Sequence, residues 1–290
     1  MLPITPELEA FIDRALAEDL SSGDPTTDSL IPQDILGRAN IIPKAEGVLA
    51  GVDVAVAIFR RLDPRLDANA LMSDGAALRP WVRETGAEGD VVAEVQGPVA
   101  SILKAERTAL NILQHMSGVA TQVSRYVKAV EGYNVRILDT RKTLPGLRAL
   151  EKYAVTMGGG RNHRRNMGDG VLIKDNHIAI LKQAGMTLAE IVQRAKDRAP
   201  HSLRIEVEVE DLDMVYEAVD AGAEILLLDN MPPEEMAKAV RIVAGRAITE
   251  ASGGITLDNV REVAATGVDM ISIGALTHSV KALDLSLDLV

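Results

Sequence analysis

Two rhythms of apolar and polar positions divide the chain. From about residue 135 onward, short apolar runs alternate with helical patterns: VRILDT (135–140), VLIKDN (171–176), RIEVEV (204–209), EILLLDN (224–230), AITEASGG (247–254) and MISIGA (270–275). Between the later runs, TLAEIVQRAKDRA, DLDMVYEAVDAGA, PEEMAKAVRIVAG and TLDNVREVAATG carry the spacing of amphipathic helices. Strands alternating with helices predict βαβ units and a parallel sheet. Unbroken apolar stretches such as ILLL suit strands covered on both faces. Units repeated in this way predict a (β/α) barrel or something close to it. A doubly wound sheet is the alternative that periodicity leaves open.

Upstream the pattern is mixed. Residues 4–20 place Leu8, Phe11, Ile12, Ala15 and Leu16 at helical spacing, whereas SSGDPTTDSLIP (21–32) reads as a loop rich in breakers. Residues 37–59 start extended and turn helical, and 74–100 hold turn signals and short valine-rich strands such as DVVAEVQG. SILKAERTALNILQHMSGVATQVSRYV predicts one or two long helices, with a break near Ser117-Gly118 and a domain boundary beside it.

Composition narrows the chemistry. The chain has no Cys, which excludes disulfides, thiolate metal sites and a Cys nucleophile, and agrees with a cytoplasmic location. With one Trp, four Tyr and two Phe it has no obvious base-stacking platform, and a net charge of −11 repels nucleic acid and anionic membranes. No run approaches the ~18 apolar residues of a membrane span. The first twenty residues lack the apolar core of a signal peptide. Residues 136–177, however, hold nine Lys or Arg against four Asp or Glu, so the other 248 residues carry −16. A compact positive site inside an acidic protein suits a small polyanion.

The strand ends supply the candidates. Asp139-Thr140-Arg141-Lys142 closes the first run and Lys174-Asp175-Asn176 the second. Glu206, Glu208 and Glu210 share one face of the third by the period of two. Asp229-Asn230, Ser252-Gly253-Gly254 and Gly274 close the others, and in parallel βα folds these ends converge on the ligand. Arg grips carboxylate or phosphate bidentately and Lys acts as a point charge. In GGGRNHRRN (158–166) the glycines allow either a close approach to a ligand or a tight turn. Ser252-Gly253-Gly254 before TLDNVREVAATG predicts a phosphate cradle at a helix N-terminus, with Gly274 as a second such position. Glu208 and Asp229 on neighbouring strands suggest Mg²⁺ or sugar hydroxyls. His163 and His177 are candidate acids, bases or donors, and His115 reads as packing.

With these residues assembled, the chain closely resembles the quinolinate phosphoribosyltransferases. The resemblance runs through EDLSSGDPTTDSLIP, AERTALNILQHMSGVAT, LDTRKTLPGLRALEKYAVTMGGGRNHR, DGVLIKDNHI, IEVEVE, LLLDN, EASGGITLDN and ISIGALTHS. It implies synthesis of nicotinate mononucleotide from quinolinate and phosphoribosyl pyrophosphate, with loss of CO₂ and pyrophosphate, in de novo NAD synthesis. It also implies a need for Mg²⁺, an N-terminal α/β sandwich domain (1–116), an open, atypical α/β barrel (117–276), and a C-terminal segment (277–290) returning to the first domain. A homodimer with shared active sites, open to higher assembly, is implied as well.

By motif, Arg141, His163, Arg164 and Lys174 look like the quinolinate grip, and Arg107 like an arginine reaching into the neighbouring subunit's site. Lys142, Glu208, Asp229, Ser252, Gly253, Gly254 and Gly274 look like the phosphoribosyl pyrophosphate and Mg²⁺ side, and Thr140 like a further substrate-binding residue. Lys142, Lys174, Glu208 and Asp229 are the residues the resemblance makes catalytic, with Glu208 and Asp229 toward the metal. Pro25 departs from the aliphatic expected in that motif, in a segment away from the site. A paralogue acting on another anion, a non-enzymatic anion-binding barrel and a generic phosphosugar enzyme are the alternatives.

Overall fold

The strands of the computed structural model, which describes residues 2–81 and 89–290, are β1 (Leu36–Pro43), β2 (Gly47–Val48), β3 (Asp67–Ala70), β4 (Ala77–Leu78), β5 (Ala93–Pro98), β6 (Arg136–Leu138), β7 (Val171–Ile173), β8 (Ile205–Val209), β9 (Ile225–Asp229), β10 (Ile248–Ser252), β11 (Met270–Ser272) and β12 (Leu285–Leu289). The part of the turn-rich 74–100 stretch at 82–88 lies outside the described residues. Two compact units result, one of Met1–Ser124, Leu144–Gly159 and Ser279–Val290, the other of Arg125–Thr143 and Gly160–His278. No helix among the described residues is long and apolar enough to cross a membrane.

In the first unit an antiparallel sheet runs in the order β12-β1-β5-β3, and β2 pairs with β4. Helix Val52–Leu62 buries Val52, Ala55, Val56, Ile58 and Phe59 in the core. Phe59 is fully enclosed, and its truncation to Ala would cost about 3–5 kcal/mol. Helix Pro6–Asp19 starts where Thr5 Oγ1 accepts the Leu8 amide (3.3 Å) and buries Leu8, Ile12 and Leu16 at four-residue spacing.

Two expectations change here. The 21–32 segment is not all loop, because Pro25–Leu30 is a short helix. Asp24 caps it by accepting the Thr27 amide (3.0 Å), and Pro25 sits at its first turn, where proline's fixed φ favours a helix. Nor does the chain break at Ser117-Gly118, since one helix runs unbroken from Val99 to Ala129. Gly118 serves packing instead. A Cβ there would collide with the carbonyl of Lys281 and lie 3.1 Å from Ala282 Cα.

In the second unit all strand pairs are parallel, in the order β6-β11-β10-β9-β8-β7. From β7 to β11 each strand lies beside its predecessor, and β6 closes the row next to β11. This single direction of winding is that of a barrel. A doubly wound sheet would reverse at a switch point. The β6–β7 seam is unpaired among the described residues, so the barrel is open there.

Register explains why the strands read as apolar yet carry a polar site. Val207, Val209, Leu226, Leu228, Ala251 and Ile271 share the face packed by helices and are fully buried. On the other face Glu206 pairs with Ile225, Glu208 and Glu250 both pair with Leu227, and Ser252 pairs with Asp229. The period of two therefore sends every carboxylate of these strands to one side.

Candidate active site at the carboxyl ends of the parallel strands

The cationic end is built around β6. The Arg161 amide donates to Ile137 O (2.9 Å) and the Asp139 amide to Arg161 O (3.2 Å), laying 161–163 alongside the strand. Asp139, fully buried, accepts the His163 amide at 2.7 Å. These bonds bring His163 and Arg164 beside Arg141. The Nε atoms of both arginines are buried without a hydrogen-bond partner among the described residues. Arg164 Nη1 donates to Gly170 O (3.2 Å). Burial, assisted by the charge of Arg141 and opposed by Glu206 and Asp169, lowers the pKa of Arg164.

The preceding glycines have a structural task. Gly158 caps helix Arg148–Met157, and a Cβ on it would collide with Ala120 O. Gly159 turns the chain at φ 88°. Of the two roles expected for these glycines, Gly159 takes the tight turn, and Gly158 serves close packing, which neither role foresaw.

Below the arginines lies a cluster that sequence reasoning noticed only in part. His163 Nε2 is 3.4 Å from Glu206 Oε2 and 3.5 Å from Glu250 Oε1. Burial and the neighbouring Glu206 push Glu250 up to about 7, partly offset by His163, Ser272 and Arg136. For His163, burial lowers the pKa, but the hydrogen bond to Glu206 and the charges of Glu250 and Glu206 outweigh it and raise the value. Glu250 was missed although it stands two residues before Ser252, on the same strand face. That period was the available signal.

At the ends of β7 and β8, Lys174 Nζ donates to Glu208 Oε2 at 3.0 Å. The Lys174 amide donates to His177 Nδ1 (3.0 Å), so His177 is used at the start of helix Asp175–Gln183. Asp229 Oδ2 accepts from Asn230 Nδ2 (2.8 Å), and Asn230 itself stands at φ 54°. Gly253 and Gly254 both have positive φ. A Cβ at Gly253 would lie 2.5 Å from Asn230 Cγ and 3.0 Å from its amide nitrogen. The helix after this turn begins only at Val260, so Ser252-Gly253-Gly254 is a glycine turn pinned by Asn259 Nδ2 to Gly254 O (3.0 Å) and is not itself a helix N-terminus.

Lys142 is held by backbone bonds. Its amide donates to Thr140 Oγ1 (3.0 Å) and its carbonyl accepts from Thr277 Oγ1 (2.7 Å). Gly274 leaves room for it: a Cβ would lie 3.0 Å from Lys142 Cδ and 3.1 Å from Nε2 of His278, a residue sequence reasoning passed over. Two other candidates lie in the first unit. Arg107 is exposed on helix Val99–Ala129, with Nη2 3.1 Å from Glu106 Oε1. His115 Nε2 is 2.9 Å from the fully buried Glu151.

Known proteins resemble this chain along nearly its whole length. Residues 24–117 match the model of the quinolinate phosphoribosyl transferase N-terminal domain, and 119–288 that of the C-terminal domain. A probable carboxylating nicotinate-nucleotide pyrophosphorylase of Bacillus subtilis is 40% identical over 282 residues, 97% of this chain and 93% of that protein. The carboxylating nicotinate-nucleotide pyrophosphorylase of Mycobacterium leprae is 42% identical over 284 residues, 96% and 95%. The crystal structure of NadC from Streptococcus pyogenes superposes with a TM-score of 0.91 at 37% identity, covering 100% of this chain and 99% of that one. With both domains matched and its relatives aligned nearly end to end, the chain belongs to the quinolinate phosphoribosyltransferase family.

Proposed function

We propose that this protein transfers phosphoribose from phosphoribosyl pyrophosphate to the ring nitrogen of quinolinate, with loss of the 2-carboxylate, to give nicotinate mononucleotide, pyrophosphate and CO₂. One observation carries this reading at the site. Two neighbouring arginines have buried, unpartnered Nε atoms, and burial, with the charge of Arg141 adding to it, depresses the pKa of Arg164. Such a pair is completed by a planar dianion, because each guanidinium forks onto a carboxylate. Quinolinate carries two adjacent carboxylates and fits Arg141 and Arg164, with Lys174 as a further cation.

The phosphoribosyl donor takes the remaining strand ends. At Gly254 the turn after β10 leaves open space where a side chain would stand, which suits close approach of phosphate to the backbone. Lys142 beside Gly274 offers a point charge to the leaving pyrophosphate. Glu208 and Asp229 lie on the same sheet face by register and present only carboxylate oxygens, a donor set that fits Mg²⁺. Bound there, Mg²⁺ would neutralise charge on the departing pyrophosphate. The residues themselves align and stabilise. The C1–pyrophosphate bond breaks as the ring nitrogen attacks the cationic ribose carbon. The resulting pyridinium draws the electrons of the C2–carboxylate bond, CO₂ leaves, and C2 takes up a proton. No covalent enzyme intermediate is needed, so orientation and electrostatics do the catalysis.

The same reading makes the protein a cytoplasmic homodimer in which Arg107 serves the partner's site. The decisive assay supplies quinolinate, phosphoribosyl pyrophosphate and Mg²⁺. Nicotinate mononucleotide and CO₂ in equal amounts are expected. Binding of quinolinate without release of pyrophosphate would favour a non-enzymatic anion-binding barrel.

A further inference from the structure

His163 stands among the cations around Arg141, but both of its ring nitrogens are engaged by the protein. Nε2 faces Glu206 and Glu250 at 3.4 and 3.5 Å, with side chains only 12%, 5% and 1% exposed respectively. Nδ1 lies 2.7 Å from the backbone nitrogen of Arg164. An amide N–H can only donate, so Nδ1 must offer a lone pair. A second proton on Nδ1 would face the amide hydrogen at that distance. Glu206 offers its carboxylate to a proton on Nε2, with the Glu250 carboxyl beside it, and the amide blocks the other nitrogen.

The geometry points to a division of labour. Glu206 and Glu250 are positioning residues that keep the proton of His163 on Nε2, so that Nδ1 braces Arg164 and the ring does not grip the substrate as a cation. The brace is anchored at both ends. The His163 amide is tied to Asp139, and Glu206 and Glu250 reach the ring from β8 and β10. Arg136 acts on Glu250, and Arg141 and Asp169 act on Arg164, so the charges around the brace are mixed. Binding of the substrate carboxylates then falls to the guanidinium groups, whose fork the brace orients.

The cluster could also be taken for a metal centre, since its three ligand atoms lie within 4.8 Å of one another. A metal on Nε2 would displace the ring proton to Nδ1, against the Arg164 amide. Metal-bound imidazoles need an acceptor at that position, not a donor. The cluster is therefore read as held by a proton.

This inference rests on the proposed quinolinate pocket for its functional arm only. The first test is ¹⁵N NMR of histidine-labelled enzyme, unliganded and with quinolinate, using His163→Asn to assign the ring. The Nε2–H neutral tautomer is expected in both states at pH 7. An imidazolium in the complex, or an Nδ1–H ring, would overturn the inference. The second test is quinolinate binding by calorimetry. His163→Asn keeps an acceptor near the Nδ1 position and should weaken binding by less than about threefold, whereas His163→Lys keeps a cation without the acceptor and should weaken it at least about tenfold. The reverse order would make His163 a cationic grip. Failure of wild-type enzyme to bind quinolinate would instead count against the proposed function, and the nitrogen spectrum would still decide the tautomer.

Discussion

Lys174 Nζ and Glu208 Oε2 meet at 3.0 Å across the ends of β7 and β8, joining a residue assigned to quinolinate with one assigned to the phosphoribosyl side. Glu208 thus tethers the ammonium proposed for quinolinate. Glu208→Ala should leave quinolinate affinity unchanged or tighter, because the ammonium is released, while turnover falls by about 10²-fold or more. Separate calorimetric titrations and steady-state rates check this. Loss of quinolinate affinity in parallel with turnover would place Glu208 on the other half of the site.

Substrate choice should be sharp. Nicotinate lacks the 2-carboxylate and would leave a half-buried guanidinium unpaired, a penalty approaching that of a fully buried pair that loses one partner, about 3–5 kcal/mol. A kcat/KM for nicotinate at least about 10²-fold below that for quinolinate is expected. Comparable values would remove Arg141 and Arg164 from the carboxylate site.

Glu250 makes stability depend on pH. Its pKa is raised in the folded protein to about 7 from an ordinary value of 4.5, so the folded state binds this proton more tightly than the unfolded one. The sign follows from linkage: the contribution is fully present below about pH 4.5 and is lost as pH rises through about 7. Glu250→Gln cannot ionise. Its melting temperature relative to wild type should therefore rise between pH 5 and pH 8. A difference that does not change with pH would show that Glu250 does not carry the proton.

The two adjacent glycines should respond differently to alanine. Both have positive φ, which costs Ala about 1–2 kcal/mol. At Gly253 the new Cβ also runs into Asn230, whereas Gly254 faces open space. Gly253→Ala should therefore weaken phosphoribosyl pyrophosphate binding far more than Gly254→Ala, with quinolinate binding retained in both. Equal effects would mean that only the backbone angle matters.

Assembly is tested by complementation. Arg107→Ala and Lys174→Ala should each be nearly inactive alone. After dissociation and reassembly together, recovery of about a quarter of wild-type activity is expected, because random pairing gives about half mixed dimers with one intact site each. No recovery despite verified subunit exchange would confine Arg107 to its own subunit.

The alternation of strands and helices, the strand ends carrying Arg141, Lys174, Glu208, Asp229 and Ser252, and the family itself were legible in the sequence. These are properties of short contiguous stretches, in which period and motif survive without knowledge of the partner. Other features depend on segments far apart in the chain. Gly118 looks like a helix breaker until the carbonyl of Lys281 is found against it. The single direction of winding, which selects a barrel over a doubly wound sheet, exists only once strands have neighbours. Glu206 and Glu250 were a charged strand residue and an unremarked one until β8, β10 and the 161–163 segment brought both carboxylates to the ring of His163. The charge states of Glu250 and of the histidine are set by burial and by the neighbouring groups, and neither is a property of a residue in isolation.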